Sequence, residues 1–110
     1  MLASESTDKE VHKMFARIAS FEGGDTERLR ELNQEQIEAG TLELPPGIRR
    51  AMVLDDGSGG KRMFVTFFDS REAIEAAEQR FESMGGEVPE DVRGRRTAVE
   101  VYEVLWEREF

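Results

Sequence analysis

The stretch KRMFVTFFDSREAIEAAEQRF (residues 61–81) begins with a run, MFVTFF, in which Thr66 alone is polar. Read as a strand, it puts Met63, Val65 and Phe67 on one face and Phe64 and Phe68 on the other, because successive side chains alternate. A strand with one face in water needs apolar residues only at every second position, so both faces of this one require cover. The period then changes. Asp69 is placed to cap a helix, with Glu72 three positions later completing a capping-box pattern. Ala73, Ile74, Ala77, Phe81 and Met84 follow at helical spacing, and Gly85-Gly86 is read as the helix stop.

Working outward, DDGSGG (residues 55–60) supplies the glycines of a hairpin loop, which predicts that a strand over Ile48–Leu54 pairs with Lys61–Phe68. Pro45-Pro46-Gly47 forbids helix and turns the chain into that strand. Upstream, Asp25 is an N-cap for a helix reaching about Ala39, where Gly40 stops it; its apolar stripe is Leu29, Leu32 and Ile37, with Asn33 and Gln36 on the same face. A first strand runs from about His12 to Phe21, apolar on both faces, and residues 1–11 read as a polar tail preceding one domain over 12–110. A polar loop with Pro89 leads to a last strand from Thr97 to about Trp106.

The order βαββαβ gives a ferredoxin-like α+β fold, a four-stranded antiparallel sheet with both helices on one face. The other face would then carry Phe15 or Ile18, Met63 or Phe64, and Val99 or Tyr102, more apolar surface than a monomer usually exposes. The expectation is a homodimer in which two such sheets close face to face.

Composition narrows the function by exclusion. The 110 residues carry a formal net charge of −9, which argues against a phosphate-backbone partner, so no nucleic acid is expected. The absence of cysteine removes disulfides, thiolate nucleophiles and sulfur ligands together. No window approaches a membrane span and the head MLASESTDKEVHK lacks the apolar middle of a secretory signal, so no membrane partner and a cytoplasmic location are expected.

MFARIASFEGG, PPGIRRAMVLDD, MFVTFFDSREAIEAAE and AVEVYEV, in that order, resemble the antibiotic biosynthesis monooxygenase-like (ABM) family of dimeric α/β-barrel proteins over about Met14–Val104. The resemblance implies the same fold and dimer, and a small-molecule pocket within each subunit between sheet and helices. That pocket would lie among Phe64 or Phe68, first-strand side chains of matching parity, and the helix faces carrying Asn33, Gln36, Ile74 and Phe81. Family members range from cofactor-free oxygenases of aromatic polyketides to haem-degrading enzymes and proteins without known activity. Haem-degrading members use an Asn on the first strand, a Trp before the second helix and a His on it; here those places hold Ala16 or Arg17, Phe68 and no His. Haem chemistry is therefore not expected, and no cofactor is implied.

Two functions stay open: a cofactor-free monooxygenase or binder of a small aromatic molecule, and a catalytically silent dimeric interaction or sensing module. For the first, Asn33, Gln36, Arg17, Tyr102 and His12 are the hydrogen-bonding candidates within apolar walls. His12, the sole histidine, has no partner at metal-ligand spacing, so no metal is expected. Tyr102 and Trp106 could orient an aromatic ring or simply pack. DDGSGGK lacks phosphate-loop spacing and leads into a strand, which leaves it as hairpin chemistry. Arg93, Arg95 and Arg96, near Lys61 and Arg62 at one end of the sheet, could take an anion or answer neighbouring carboxylates.

Overall fold

The computed structural model describes residues 13–57 and 60–110, and of residues 85–87 the backbone only. The tail over 1–11, His12 and part of the hairpin loop lie outside the described residues. The elements are β1 (Met14–Glu22), α1 (Thr26–Ala39), β2 (Ile48–Asp55), β3 (Lys61–Phe68), α2 (Arg71–Glu87), α3 (Glu90–Arg93) and β4 (Arg95–Val104). The four strands form one antiparallel sheet in the order β2-β3-β1-β4, an α+β architecture compatible with the ferredoxin-like arrangement.

The two faces of β3 separate cleanly. Phe64 and Phe68 point to the helices, each meeting the ring of Phe81 on α2 edge-on, at centroid distances of 6.1 and 6.2 Å. Phe68, Ile74, Ala77 and Phe81 form the buried core, with Phe15, Ile48 and Val101 packed around it. Burying one such side chain contributes about 1.5–3 kcal/mol, so this cluster is what fixes α2 to the sheet. By register, Phe15, Arg17, Ala19 and Phe21 of β1 share the helix side, whereas Ala16 and Ile18 lie with Val65 and Phe67 on the opposite side.

Among the described residues no helix lies over that opposite face. Val65 is buried there between Ile18 and Met52 of the neighbouring strands. Towards the edges Leu54, Met63 and Tyr102 are 42%, 38% and 50% exposed. Of the alternatives the sequence left open for this face, Ile18, Met63 and Tyr102 are the ones that occupy it.

Four local expectations are corrected. The N-cap of α2 is Ser70, not Asp69: Ser70 Oγ accepts from the Ala73 amide at 3.1 Å, and the Asp69 carboxylate pairs with Arg49. Capping from Ser70 moves the third helical position to Ala73, so Glu72 closes no capping box. The helix continues through Gly85 and Gly86 to Glu87. The supposed loop after it contains α3, with Pro89 at its N-cap in an extended conformation (φ −58°, ψ 147°). Finally, β4 stops at Val104 because its partner strand begins at Met14, the residue opposite; Leu105 and Trp106 leave the sheet and stand 87% and 76% exposed.

One close approach locks α1 to the rest. A Cβ on Gly24 would sit 2.6 Å from Gly94 N, and one on Gly94 would sit 2.8 Å from the carbonyl oxygens of Glu22 and Gly23. Only glycine at both positions lets the β1–α1 corner touch the chain entering β4. The Asp25 amide donates to Val92 O at 2.9 Å, so the start of α1 rests on α3.

Candidate functional site

The helix α1 is capped at both ends: Asp25 Oδ1 accepts from the Arg28 amide, and Gly40 takes the left-handed conformation. Yet it buries no residue. Its stripe is apolar enough to pack, but propped at one end on α3 it stands away from the sheet. The gap is a cavity of about 760 Å³, within the range of small-molecule pockets.

Leu29, Asn33 and Ile37, one face of α1 at four-residue spacing, form one wall. Ala19, Phe21, Phe64 and Val53 of the sheet form the floor, and Phe81 and Met84 of α2 a second wall. Leu42 and Leu44, in the connection before β2, close part of the mouth. The cavity opens to solvent, which explains why Ile37 and Val53 remain 59% and 44% exposed although both line it.

Its polar groups lie at Asn33, at Arg17 and in a charged cluster at one end. Asn33 projects from α1 into an otherwise apolar wall. Arg17 is 1% exposed; its Nε donates to Glu78 Oε1 at 2.6 Å and its Nη2 to Oε2 at 3.3 Å, and the guanidinium lies 4.0 Å above the Phe81 ring. A cation so placed is held by the carboxylate on one side and by the ring quadrupole on the other. At the far end of the cavity Arg62, Arg93, Arg95 and Arg96 complete the lining with Glu82 and Glu90.

Of the residues the sequence singled out, Arg17, Asn33, Phe64 and Phe81 come together on this cavity. Phe68 and Ile74 lie beneath it in the closed core, and Gln36, half-buried on α1, is not among the lining residues. Tyr102 is on the opposite face of the sheet, opposite Ala16 in the register. Its hydroxyl donates to Glu100 at 3.0 Å, and that carboxylate, by hydrogen bond and by charge, raises the phenol above its ordinary value. His12 falls outside the described residues. The sequence gives no direct pointer to Leu42 and Leu44, whose signal is two apolar residues alternating within a polar connection, or to Met84, which spacing puts only on the apolar face of its helix.

Among the described residues no three His, Cys, Asp or Glu side chains converge as a metal site, and no helix is long and apolar enough to cross a membrane. No protein-family model matches the chain, and a search of curated proteins finds no match.

Proposed function

We propose that the protein binds a small apolar or aromatic molecule in the cavity between α1, α2 and the sheet. The observation that carries this is a well-capped amphipathic helix that turns Leu29, Asn33 and Ile37 towards the sheet and buries none of them. A helix held over an open apolar space gives up packing energy that a ligand would restore. On this reading the chain is an ABM-like protein, and its uncovered sheet face, with Leu54, Met63 and Tyr102, closes against a second copy to make the dimeric barrel.

Among the described residues the lining favours binding over chemistry, since it offers arginines, Asn33 and two carboxylates but no pair placed to shuttle a proton. Arg17 and Asn33 on one cavity are what a cofactor-free oxygenase would use to hold an enolate, so oxygen uptake with an anthrone substrate is the test of that second reading. Binding itself is tested by fluorescence titration with N-phenyl-1-naphthylamine, a neutral apolar probe. Saturation at one site per chain is expected, weakened roughly tenfold by Ile37→Asp, which sets a carboxylate on the cavity wall without disturbing the core. Absence of saturable binding refutes the reading.

A further inference from the structure

The charge of the cavity runs against that of the chain. The sequence holds 24 Asp and Glu against 15 Lys and Arg, yet the lining takes five arginines and two carboxylates. Four of the arginines gather at one end. The register sets Phe21 opposite Arg62 on one side and Arg96 on the other, and Glu22 opposite Arg95. Arg62 Nη1 donates to the Arg93 carbonyl at 3.0 Å, which brings the fourth alongside.

Their partners divide them. Arg95 reaches Glu22 at 3.6 Å, Arg96 reaches Glu82 at 2.9 Å and Arg62 reaches Asp55 at 3.5 Å, so three of the four answer carboxylates and Arg93 does not. Arg93 spends its described hydrogen bonds on the carbonyls of Val88 and Gly94. Arg62 is 3% exposed and spends its Nη groups on two carbonyls and Thr26 Oγ1. Its Nε lies 3.5 Å from Asp55 Oδ1 without the geometry of a hydrogen bond, and is a buried donor with no acceptor among the described residues. A buried guanidinium that keeps an unused N–H although Asp55 balances its charge, beside a second whose described partners are neutral carbonyls, is an incomplete anion site on the lining of an apolar chamber.

We propose that the ligand of this cavity is an amphipathic carboxylate, its hydrocarbon body on Phe64 and Phe81 and its head between Arg62 and Arg93. The inference rests on the reading of the cavity as a binding site. A single negative charge fits better than a dianion, because Asp55, Glu22, Glu82 and Glu90 surround the same end and repel further charge.

The test compares 1-pyrenebutanoic acid with 1-pyrenebutanol, which share a hydrocarbon body and differ in the head, by fluorescence titration of the full chain. The acid is expected to bind at least roughly tenfold tighter, about 1.4 kcal/mol, with that advantage shrinking as salt is raised. Arg93→Gln, checked for folding by circular dichroism, should remove most of the ratio, and Arg93→Lys should keep it. A smaller wild-type ratio, a ratio indifferent to salt, or one that survives in folded R93Q overturns the assignment of the head group. Failure of the acid to bind also overturns it, and only if N-phenyl-1-naphthylamine fails as well does the cavity reading fall with it.

Discussion

Breaking the Arg17–Glu78 pair from its two ends should give unequal results, in the order opposite to the one burial suggests. Arg17 is 1% exposed and Glu78 is 42% exposed, so a count of buried area ranks the arginine as the costlier loss. Charge reverses the ranking. Arg17→Met removes the buried cation, keeps the aliphatic stem packed, and leaves a carboxylate that water already reaches; the lost pair, half in solvent, costs about 1 kcal/mol. Glu78→Gln instead leaves the guanidinium in the cavity wall with a neutral partner and the Phe81 face. Removing one member of a fully buried pair costs ~3–5 kcal/mol; the exposure of Glu78 and the remaining amide oxygen reduce this to about 2 kcal/mol. Urea denaturation followed by far-UV circular dichroism measures both, since the single Trp106 is too exposed to report on folding. With m near ~1–1.5 kcal/mol/M for a chain of this size, E78Q should lower the midpoint by about 1.5 M and R17M by under ~1 M, at one fixed protomer concentration. If R17M proves the more damaging, Arg17 is a packing residue and its charge is immaterial to the site.

Three further outcomes are expected. Gly94→Ala should destabilise by about 2 kcal/mol or more and lower the thermal midpoint, because φ is +89° there and the new methyl would meet two carbonyl oxygens at 2.8 Å. Sedimentation equilibrium should give twice the 12.5 kDa chain mass for the wild type, and Met63→Glu, which puts a charge on the uncovered sheet face, should return it towards the monomer without loss of helical signal. Spectrophotometric titration of Tyr102, the sole tyrosine, should show a midpoint above the ordinary 10.0, brought down by Glu100→Gln; the protonated phenol is the form that the bond to Glu100 favours.

Much of the fold was legible because β3 is decisive. Apolar residues on both of its faces marked it as an inner strand, and the switch to helical period after Phe68 located the cover of one face on α2. Element order and the hairpin then left little freedom in the sheet. Local termini were less legible where two residues competed: Asp69 and Ser70 are both good caps, and only the contact between Ser70 and the Ala73 amide distinguishes them. The extent of β4 depends on where β1 begins, a non-local fact that alternation of Leu105 and Trp106 does not contain. The candidate site was legible in part. Alternation showed that Phe64 and Met63 face opposite sides but left open which side carries the helices, and helical spacing put Asn33 between Leu29 and Ile37; the register and the Phe81 contact assign Arg17 and Phe64 to the helix side. What spacing could not reveal is the distance of α1 from the sheet. That distance is set by α3 and by the contact of Gly24 with Gly94, two segments 70 residues apart in the chain. The unmet Nε of Arg62 is likewise a property of geometry, since Asp55 stands close enough to pair with it but not in line to accept its proton.

An amide chemical-shift titration with 1-pyrenebutanoic acid locates a ligand in the space under α1 directly. Saturable shifts are expected at Ala19, Asn33, Ile37, Phe64 and Arg93, with Met63, Val65 and Tyr102 on the far face of the sheet unmoved. Shifts confined to the far face, or none at saturating probe, would contradict binding there.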